Sequence, residues 1–207
     1  MRRESRAALP GGHNAPVPAF GEITAPLLIV GLAPGLKGAN FTGRPFTGDG
    51  AGEALYPALL EAGLARGAYA ARADDGLVLM GCRITNAVRC VPPGNAPTGQ
   101  EVRTCGAFLR AEIGAMPALR AVLALGGVAH RAALVALGLK ASAHPFAHGA
   151  EARIGTLTLL SSYHPSRYNL NTRRVTPGMI LAILVRARTA GEPVSYTHLR
   201  AHETEAD

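Results

Sequence analysis

The stretch LLIVGLAPGLKGANFTGRPFTGDG, residues 27–50, decides the fold class of this chain. An apolar run followed directly by a glycine-rich turn is typical of a buried parallel strand that ends in a polar loop. A second apolar run, TLTLLS at 156–161, leads into the polar and basic segment YHPSRYNLNTRR at 163–174. Loops at the carboxyl ends of parallel strands open onto one crevice, so we expect these two loops to form a single site.

Strand-like and helix-like patterns alternate along the chain from this stretch onward. The predicted strands are 26–30, 83–88, 120–125 and 156–161, and the predicted helices are 51–64, 98–113, 127–137 and 176–189. Thr98 and Glu101 have the spacing of a capping box, and Pro177 suits the first turn of the last helix. The alternation predicts an α/β fold with three layers, α/β/α, around a central, mainly parallel four-stranded sheet.

The composition is that of one folded domain. The chain has 207 residues, of which 48% are apolar and 17% charged, so a disordered chain is excluded. The formal net charge of +7 favours a polyanionic partner, although this signal is weak by itself. No apolar run reaches membrane-spanning length and no signal-peptide core follows the N-terminal charges, so we expect a cytoplasmic protein without membrane attachment.

The ends of the chain differ from its middle. We expect an irregular arm at 1–20 and one domain at 21–190. The tail at 191–207 abandons the composition of the domain and has no apolar face to bury, so we expect it to be disordered and foreign to the fold.

Four blocks of sequence carry a resemblance to a known family. They are GLAPGLKGANFTGRPFTGD (31–49), ITNAVRCVPPGNAPT (84–98), SAHPFAHGA (142–150) and SYHPSRYNLNTRRVT (162–176). In this order they resemble the uracil-DNA glycosylase superfamily, and specifically its family 5. The resemblance implies a monofunctional DNA glycosylase of base excision repair, which flips uracil out of DNA and hydrolyses its N-glycosidic bond. The substrate range that the resemblance implies includes other deaminated bases, such as hypoxanthine and xanthine.

The resemblance also implies a base pocket built from these blocks. Phe46 would stack on the flipped base, Asn86 would read its edge through paired amide hydrogen bonds, and His164 would donate to the base oxygen as negative charge develops. Gly31 and Gly35 would allow the backbone to approach the base closely. Structural alternatives remain for each side chain, namely a loop anchor, a turn asparagine and a structural histidine.

Two further polar residues are candidates for assisting the reaction. Asp49 would supply charge near the sugar or orient water, or else it caps the following helix. The motif GLAPG at 31–35 has no side chain able to position water, which marks family 5 and favours a route dominated by leaving-group stabilisation. Asn169 resembles a second polar residue of the family pocket, and turn capping is its alternative.

Basic residues around both loops are candidates for contacting DNA, the expected partner of a monomeric enzyme. Arg167 and Arg173 lead this set, and Leu170 is a candidate wedge that fills the space left by the flipped base. Solvated surface charges and a locally packed leucine are the alternatives. Further cations of the same kind are Lys37, Arg44 and Arg174.

The histidines outside the base pocket have less defined roles. His144 and His148 lie in a family block whose chemistry the residues do not reveal, and they would line the pocket, contact DNA or be structural. His130 lies within a predicted helix and is interpreted as structural.

The three cysteines depart from the family pattern. Families 4 and 5 usually hold a 4Fe-4S cluster with four cysteines, and Cys90 and Cys105 match one pair, whereas the other pair is absent. Cys82 is not at a ligand position. Either the reading frame is truncated or wrongly started, which we favour, or this is a member without a cluster.

Two rival functions come from other classes. One is a catalytically impaired protein that binds lesion-containing DNA. The other is a nucleotide-binding α/β domain, which is disfavoured because the glycine-rich turn lacks both GxGxxG and the GK[ST] ending. No lysine is placed for a Schiff base, which argues against lyase activity.

Overall fold

The computed structural model describes residues 9–193. Residues 1–8 and 194–207, with the predictions made for them, lie outside the described residues. Within 9–193, no helix is both long and apolar enough to cross a membrane.

A five-stranded sheet forms the centre of the molecule. The described residues contain seven strands, five in this sheet and two outside it: β1 (Leu27–Gly31), β2 (Ala65–Arg66), β3 (Val78–Leu79), β4 (Cys82–Asn86), β5 (Ala121–Leu125), β6 (Glu151–Ile154) and β7 (Leu157–Ser162). The central sheet has the order β4-β1-β5-β7-β6, while β2 and β3 pair separately as a small antiparallel ribbon. Strands β4, β1, β5 and β7 are mutually parallel, so their carboxyl ends lie along one edge of the sheet.

The predicted four parallel strands are confirmed, but the strand count was one too low. The additional edge strand β6 pairs antiparallel with β7, with Ile154 opposite Leu157. A tight turn containing Gly155, which has a φ of +60°, joins the two strands. The sequence of β6, EARI, is short and mixes charged with apolar residues, so it carries no apolar run that would predict a strand.

Six α-helices accompany the strands within the described residues. They are α1 (Ala39–Thr42), α2 (Gly50–Glu61), α3 (Gly99–Ala115), α4 (Gly127–Ala136), α5 (Arg167–Asn171) and α6 (Pro177–Gly191). The four long helices were predicted. The capping box of Thr98 and Glu101 is present at the start of α3, and Pro177 opens α6. A short 3₁₀ turn, Pro93–Asn95, lies in the proline-rich loop after β4.

Helices cover both faces of the sheet and create two separate apolar clusters. In β1, Leu27 and Ile29 face one cluster, whereas Leu28 and Val30 face the other, and all four are fully buried. This alternation follows from the two-residue period of a strand. Each buried aliphatic side chain contributes about 1.5–3 kcal/mol, so the sheet is a firm base for the loops at its carboxyl edge.

Candidate active site

Gly31 brings the predicted stacking ring and the predicted amide together. It ends β1 and lies opposite Asn86, the last residue of β4. A Cβ atom at position 31 would lie 2.5 Å from Phe46 Cζ and inside contact distance of Asn86 Oδ1. Both side chains therefore press against the space that the glycine leaves open, and each has an exposed fraction of only 6%. Any residue larger than glycine would displace one of them.

The imidazole of His164 completes this group. Its ring centroid lies 5.8 Å from that of Phe46, and the two planes differ by 27°. Burial lowers the pKa of His164 below its ordinary value, whereas the negative charge of Asp49 acts in the opposite direction. A lowered pKa favours the neutral imidazole at neutral pH, and a neutral ring still carries one N–H donor. Phe46, Asn86 and His164 are thus brought together as predicted.

The loop that carries His164 is held by Asn169. The Asn169 side chain donates a hydrogen bond from Nδ2 to the His164 carbonyl oxygen at 2.8 Å. Ser166 caps α5 by accepting from the Asn169 backbone N–H. Asn169 and His164 also border a cavity of about 280 Å³ at the ends of β5 and β7, together with Gly126, Phe146, Tyr163 and Arg174.

Asp49 has two oxygens with different surroundings. Its Oδ1 accepts hydrogen bonds from the backbone N–H groups of Ala51 and Gly52 at 3.1 and 2.9 Å, so the capping interpretation is confirmed. Its Oδ2 faces the glycine-rich turn, 3.6 Å from the position a Cβ would take at Gly35. The negative charge of the same carboxylate raises the pKa of His164, so Asp49 both caps α2 and acts electrostatically on the imidazole.

Arg44 is the residue that sequence reasoning placed wrongly. Its guanidinium is 4% exposed and forms two hydrogen bonds of 2.7 Å with the carboxylate of Asp75, so it is neither a surface charge nor a phosphate contact. It also donates to Thr47 Oγ1 at 2.7 Å, which ties it to the loop that carries Phe46. Phe46 has a φ of +54°, a strained conformation for a non-glycine residue, and this ion pair fixes the loop around it.

The remaining basic candidates surround the site on the outside. Arg167, Arg173 and Arg174 are exposed, and Arg167 lies 3.6 Å from Glu53. Leu170 is partly buried against the core, whereas Tyr168 in the same short helix is 72% exposed. Sequence reasoning did not single out Tyr168, although an aromatic between Arg167 and Asn169 in a basic loop was a usable signal.

The cysteines do not fit a four-thiolate cluster. Cys82 is buried and donates to the Leu64 carbonyl oxygen, and burial raises the pKa of its thiol to about 12. Cys90 and Cys105 are partly exposed in the loop after β4 and in α3. Within residues 9–193, no group of three or more His, Cys, Asp or Glu side chains is arranged to hold a metal ion.

Fold and site together define the class of the protein: an α/β/α domain with an aromatic ring, an amide and an imidazole near the carboxyl edge of its parallel strands. The model of the family described as "Uracil DNA glycosylase superfamily" matches residues 18–186, and the chain belongs to this superfamily.

The relatives of the chain include several Type-5 uracil-DNA glycosylases. The chain is 49% identical over 174 residues to the Type-5 uracil-DNA glycosylase of Thermus thermophilus. This match covers 84% of this chain and 79% of that protein. It is 43% identical over 172 residues to the Type-5 enzyme of Pyrobaculum aerophilum, covering 83% and 75%. It is 46% identical over 176 residues to that of Mycobacterium bovis, covering 84% and 66%. The predicted resemblance to family 5 is confirmed.

Proposed function

We propose that this protein is a monofunctional uracil-DNA glycosylase of base excision repair, with residues 21–190 as its catalytic domain. The observation that carries the proposal is that Phe46 and Asn86 both press against Gly31 while the His164 ring stacks beside Phe46. The Type-5 uracil-DNA glycosylases among its relatives support the same activity. The product is DNA with an abasic site.

Recognition begins when the base leaves the duplex, because its glycosidic bond is inaccessible within the stack. The ring of Phe46 offers a face for the flipped base. The amide of Asn86 donates to a carbonyl oxygen of uracil and accepts from the adjacent ring N–H. Both side chains are buried and held against Gly31, so they are ordered before the base arrives.

Bond cleavage places charge on both fragments. The electron pair of the N-glycosidic bond stays on the departing uracil, and the sugar gains oxocarbenium character. The neutral His164 imidazole donates its N–H to the uracil oxygen that becomes negative. Water then adds to C1′ of the sugar and loses a proton, and the base takes up a proton on its ring nitrogen. Asp49, through the oxygen that faces Gly35, stabilises the positive sugar or orients the water.

Besides Phe46 and Asn86, the proposed site includes a cavity that His164 and Asn169 border. The cavity of about 280 Å³ beside His164 and Asn169 supports a substrate range that includes hypoxanthine and xanthine. Asn169 keeps the His164 backbone in place and presents its side chain to the same cavity.

The DNA strand around the flipped base meets the outer surface of the loop after β7. Arg167 and Arg173 neutralise phosphates on this surface. Leu170 fills the gap in the stack, assisted by the exposed ring of Tyr168. We propose that the protein acts as a monomer, because Phe46, Asn86 and His164 all come from one chain.

The test is excision of uracil from a labelled duplex, followed by alkali. Strand scission that disappears in the H164A variant supports the glycosylase. Retarded migration of the uracil duplex without scission identifies a protein that binds lesions and does not act on them. Absence of both scission and retardation contradicts the proposal. Duplexes that contain hypoxanthine or xanthine define the substrate range in the same assay.

A further inference from the structure

The loop between α4 and β6 contributes Phe146 to the cavity beside His164, but its two histidines have no part in the reaction described above. Its sequence HPFAHG, residues 144–149, is called here the HPFAHG loop. It packs against the end of β7, and the backbone N–H of Gly149 donates to the Ser161 carbonyl oxygen at 2.8 Å. The loop therefore lies beside the residues that lead directly into His164.

His130 anchors the start of this loop. It is 2% exposed within α4, and its Nε2 lies 2.8 Å from the His144 carbonyl oxygen. Because a carbonyl oxygen only accepts, Nε2 is the donor. Its Nδ1 lies 2.7 Å from the hydroxyl of Ser161 in β7. One buried imidazole thus fastens the HPFAHG loop to the strand that ends beside the active site.

Tyr163, the residue before His164, is enclosed on several sides by this loop. The His148 ring stacks on it with centroids 5.5 Å apart and planes 21° apart. The Phe146 ring meets it edge-on at 5.9 Å. The Arg174 guanidinium carbon lies 4.6 Å from its ring centroid. Rings at these separations attract one another, so the side chain of Tyr163 has little freedom.

His148 also contacts the side-chain hydroxyl of Ser162 in the same segment. Its Nδ1 lies 3.2 Å from Ser162 Oγ, and the Ser162 hydroxyl donates to the Tyr163 carbonyl oxygen at 3.0 Å. Since a hydroxyl has one proton to give, His148 is the donor to Ser162 in this arrangement. The peptide that joins Tyr163 to His164 is therefore held through Ser162, while Asn169 holds the His164 carbonyl oxygen on the other side.

We propose that His148 is a positioning residue for the catalytic imidazole, which it orients by clamping Tyr163 and, through Ser162, the peptide before His164. This inference rests on the proposed function, because it assigns a purpose to precise placement of His164. Misplacing a catalytic group by about 1 Å costs up to about 100-fold in rate, so the clamp has a measurable consequence.

The experiment compares H148A with two matched variants. H144A removes a histidine from the same loop, one that gives His130 only its backbone carbonyl and whose side chain borders a surface cavity. H148F restores a stacking ring without the hydrogen bond. Uracil excision is measured under single-turnover conditions, and affinity is measured for product DNA containing an abasic site.

The clamp predicts a specific pattern of results. H148A lowers the single-turnover rate by about 10- to 100-fold with unchanged affinity for abasic DNA. H148F recovers most of the rate, and H144A matches the wild type. Equal rates in H148A and H144A would overturn the proposal, as would a loss of DNA affinity at unchanged rate, which would mark His148 as a DNA contact. If H148A does not fold, H148L takes its place as a variant that fills the space without a ring.

A measurement without substrate separates this proposal from the proposed function. In ¹⁵N-labelled protein, the imidazole signals of His164 are assigned by their loss in H164A. The clamp predicts that H148A shifts or broadens these signals and that H144A leaves them in place. Unchanged His164 signals in H148A would sink the clamp even if the enzyme excises uracil. A clear shift would sustain it even if uracil proved not to be the substrate.

Discussion

The two loops of the active site are held in place by different physical means. The loop after β1, which carries Phe46, is fixed by the buried ion pair of Arg44 and Asp75, whose side chains are 4% and 1% exposed. The loop after β7, which carries His164, is fixed by stacked rings around Tyr163 and by the amide of Asn169. One loop depends on buried charge and the other on partly exposed contacts of modest strength.

This difference matches the tasks proposed for the two loops. The Phe46 loop keeps a residue at a φ of +54°, and such strain persists only when the surroundings over-determine it. Three rings, those of Phe20, Tyr56 and Tyr69, also lie 5.1 to 5.8 Å from the Arg44 guanidinium carbon. The His164 loop, which is the proposed DNA-contacting loop, is held by contacts worth about 0.5–1.5 kcal/mol each. The Phe46 loop is therefore held by a buried ion pair and surrounding rings, and the His164 loop by weaker contacts.

The largest effect is expected from breaking the buried pair. D75N leaves the Arg44 charge uncompensated, and removing one partner of a buried ion pair costs about 3–5 kcal/mol of unfolding free energy. Urea denaturation measures this loss. D74N is the matched control, because Asp74 pairs with Arg72 on the surface with both side chains 70% exposed, and it should leave stability unchanged. Equal stability of the two variants would show that the Phe46 loop does not depend on buried charge.

The next effect falls on chemistry in the other loop. H164A removes the donor to the departing base, and loss of one such donor lowers the rate by about 100- to 1,000-fold. Single-turnover excision measures the loss, and the melting temperature should change little because His164 is only half-buried. A rate within experimental error of the wild type would refute the assignment of His164.

Acid should reduce the stability that the Arg44–Asp75 ion pair contributes to the protein. The Arg44 guanidinium, by hydrogen bonding, holds the pKa of Asp75 well below its ordinary value of 3.8. A depressed folded-state pKa contributes stability above the unfolded-state value, and this stability is lost as the pH falls through the folded-state value. The stability advantage of the wild type over D75N should therefore shrink below a pH of about 4. Unfolding curves at pH 6, 4 and 3 test this, and a constant difference would contradict it.

A smaller effect should link the two loops. The negative charge of Asp49 raises the pKa of His164 against the stronger lowering by burial. D49N keeps a good N-cap for α2 but removes this charge, so the pKa of His164 should fall further. NMR titration of the His164 ring measures the change. An unchanged or higher pKa would mean that Asp49 does not act on the imidazole.

The smallest effects should distinguish Leu170 from Tyr168. Leu170 packs against the core and is also the proposed wedge, so L170A should lower the unfolding free energy by roughly 1 kcal/mol and reduce excision from duplex DNA. Tyr168 is exposed, so Y168A should leave stability unchanged and reduce excision from duplex more than from single-stranded DNA. If L170A produced the duplex-specific defect and Y168A none, the wedge would be Leu170 alone.

The sequence predicted those parts of the molecule that depend on local pattern. Apolar runs identify the four parallel strands, and because parallel strands end at one edge, the sequence predicts that Asn86 and the loop carrying His164 lie along the same edge of the sheet. The partner of Arg44 lies 31 residues away, and a charged residue in a glycine-rich loop has the same local pattern whether it is solvated or buried. The stacking around Tyr163 depends on the path of a loop that no periodicity describes. Long-range pairing of polar groups is the information that local pattern lacks.

Gly31 has a consequence for how this scaffold acquires a new preference for a base. The Phe46 ring and the Asn86 amide both occupy the space where a side chain at position 31 would lie, so the sizes of residues 31, 46 and 86 constrain one another. Substitutions at one of them alone leave a void or a clash, and compensated changes have to arrive together. Base preference at this site should therefore change slowly by single substitutions. Libraries that vary positions 31, 46 and 86 together are better suited to altering it.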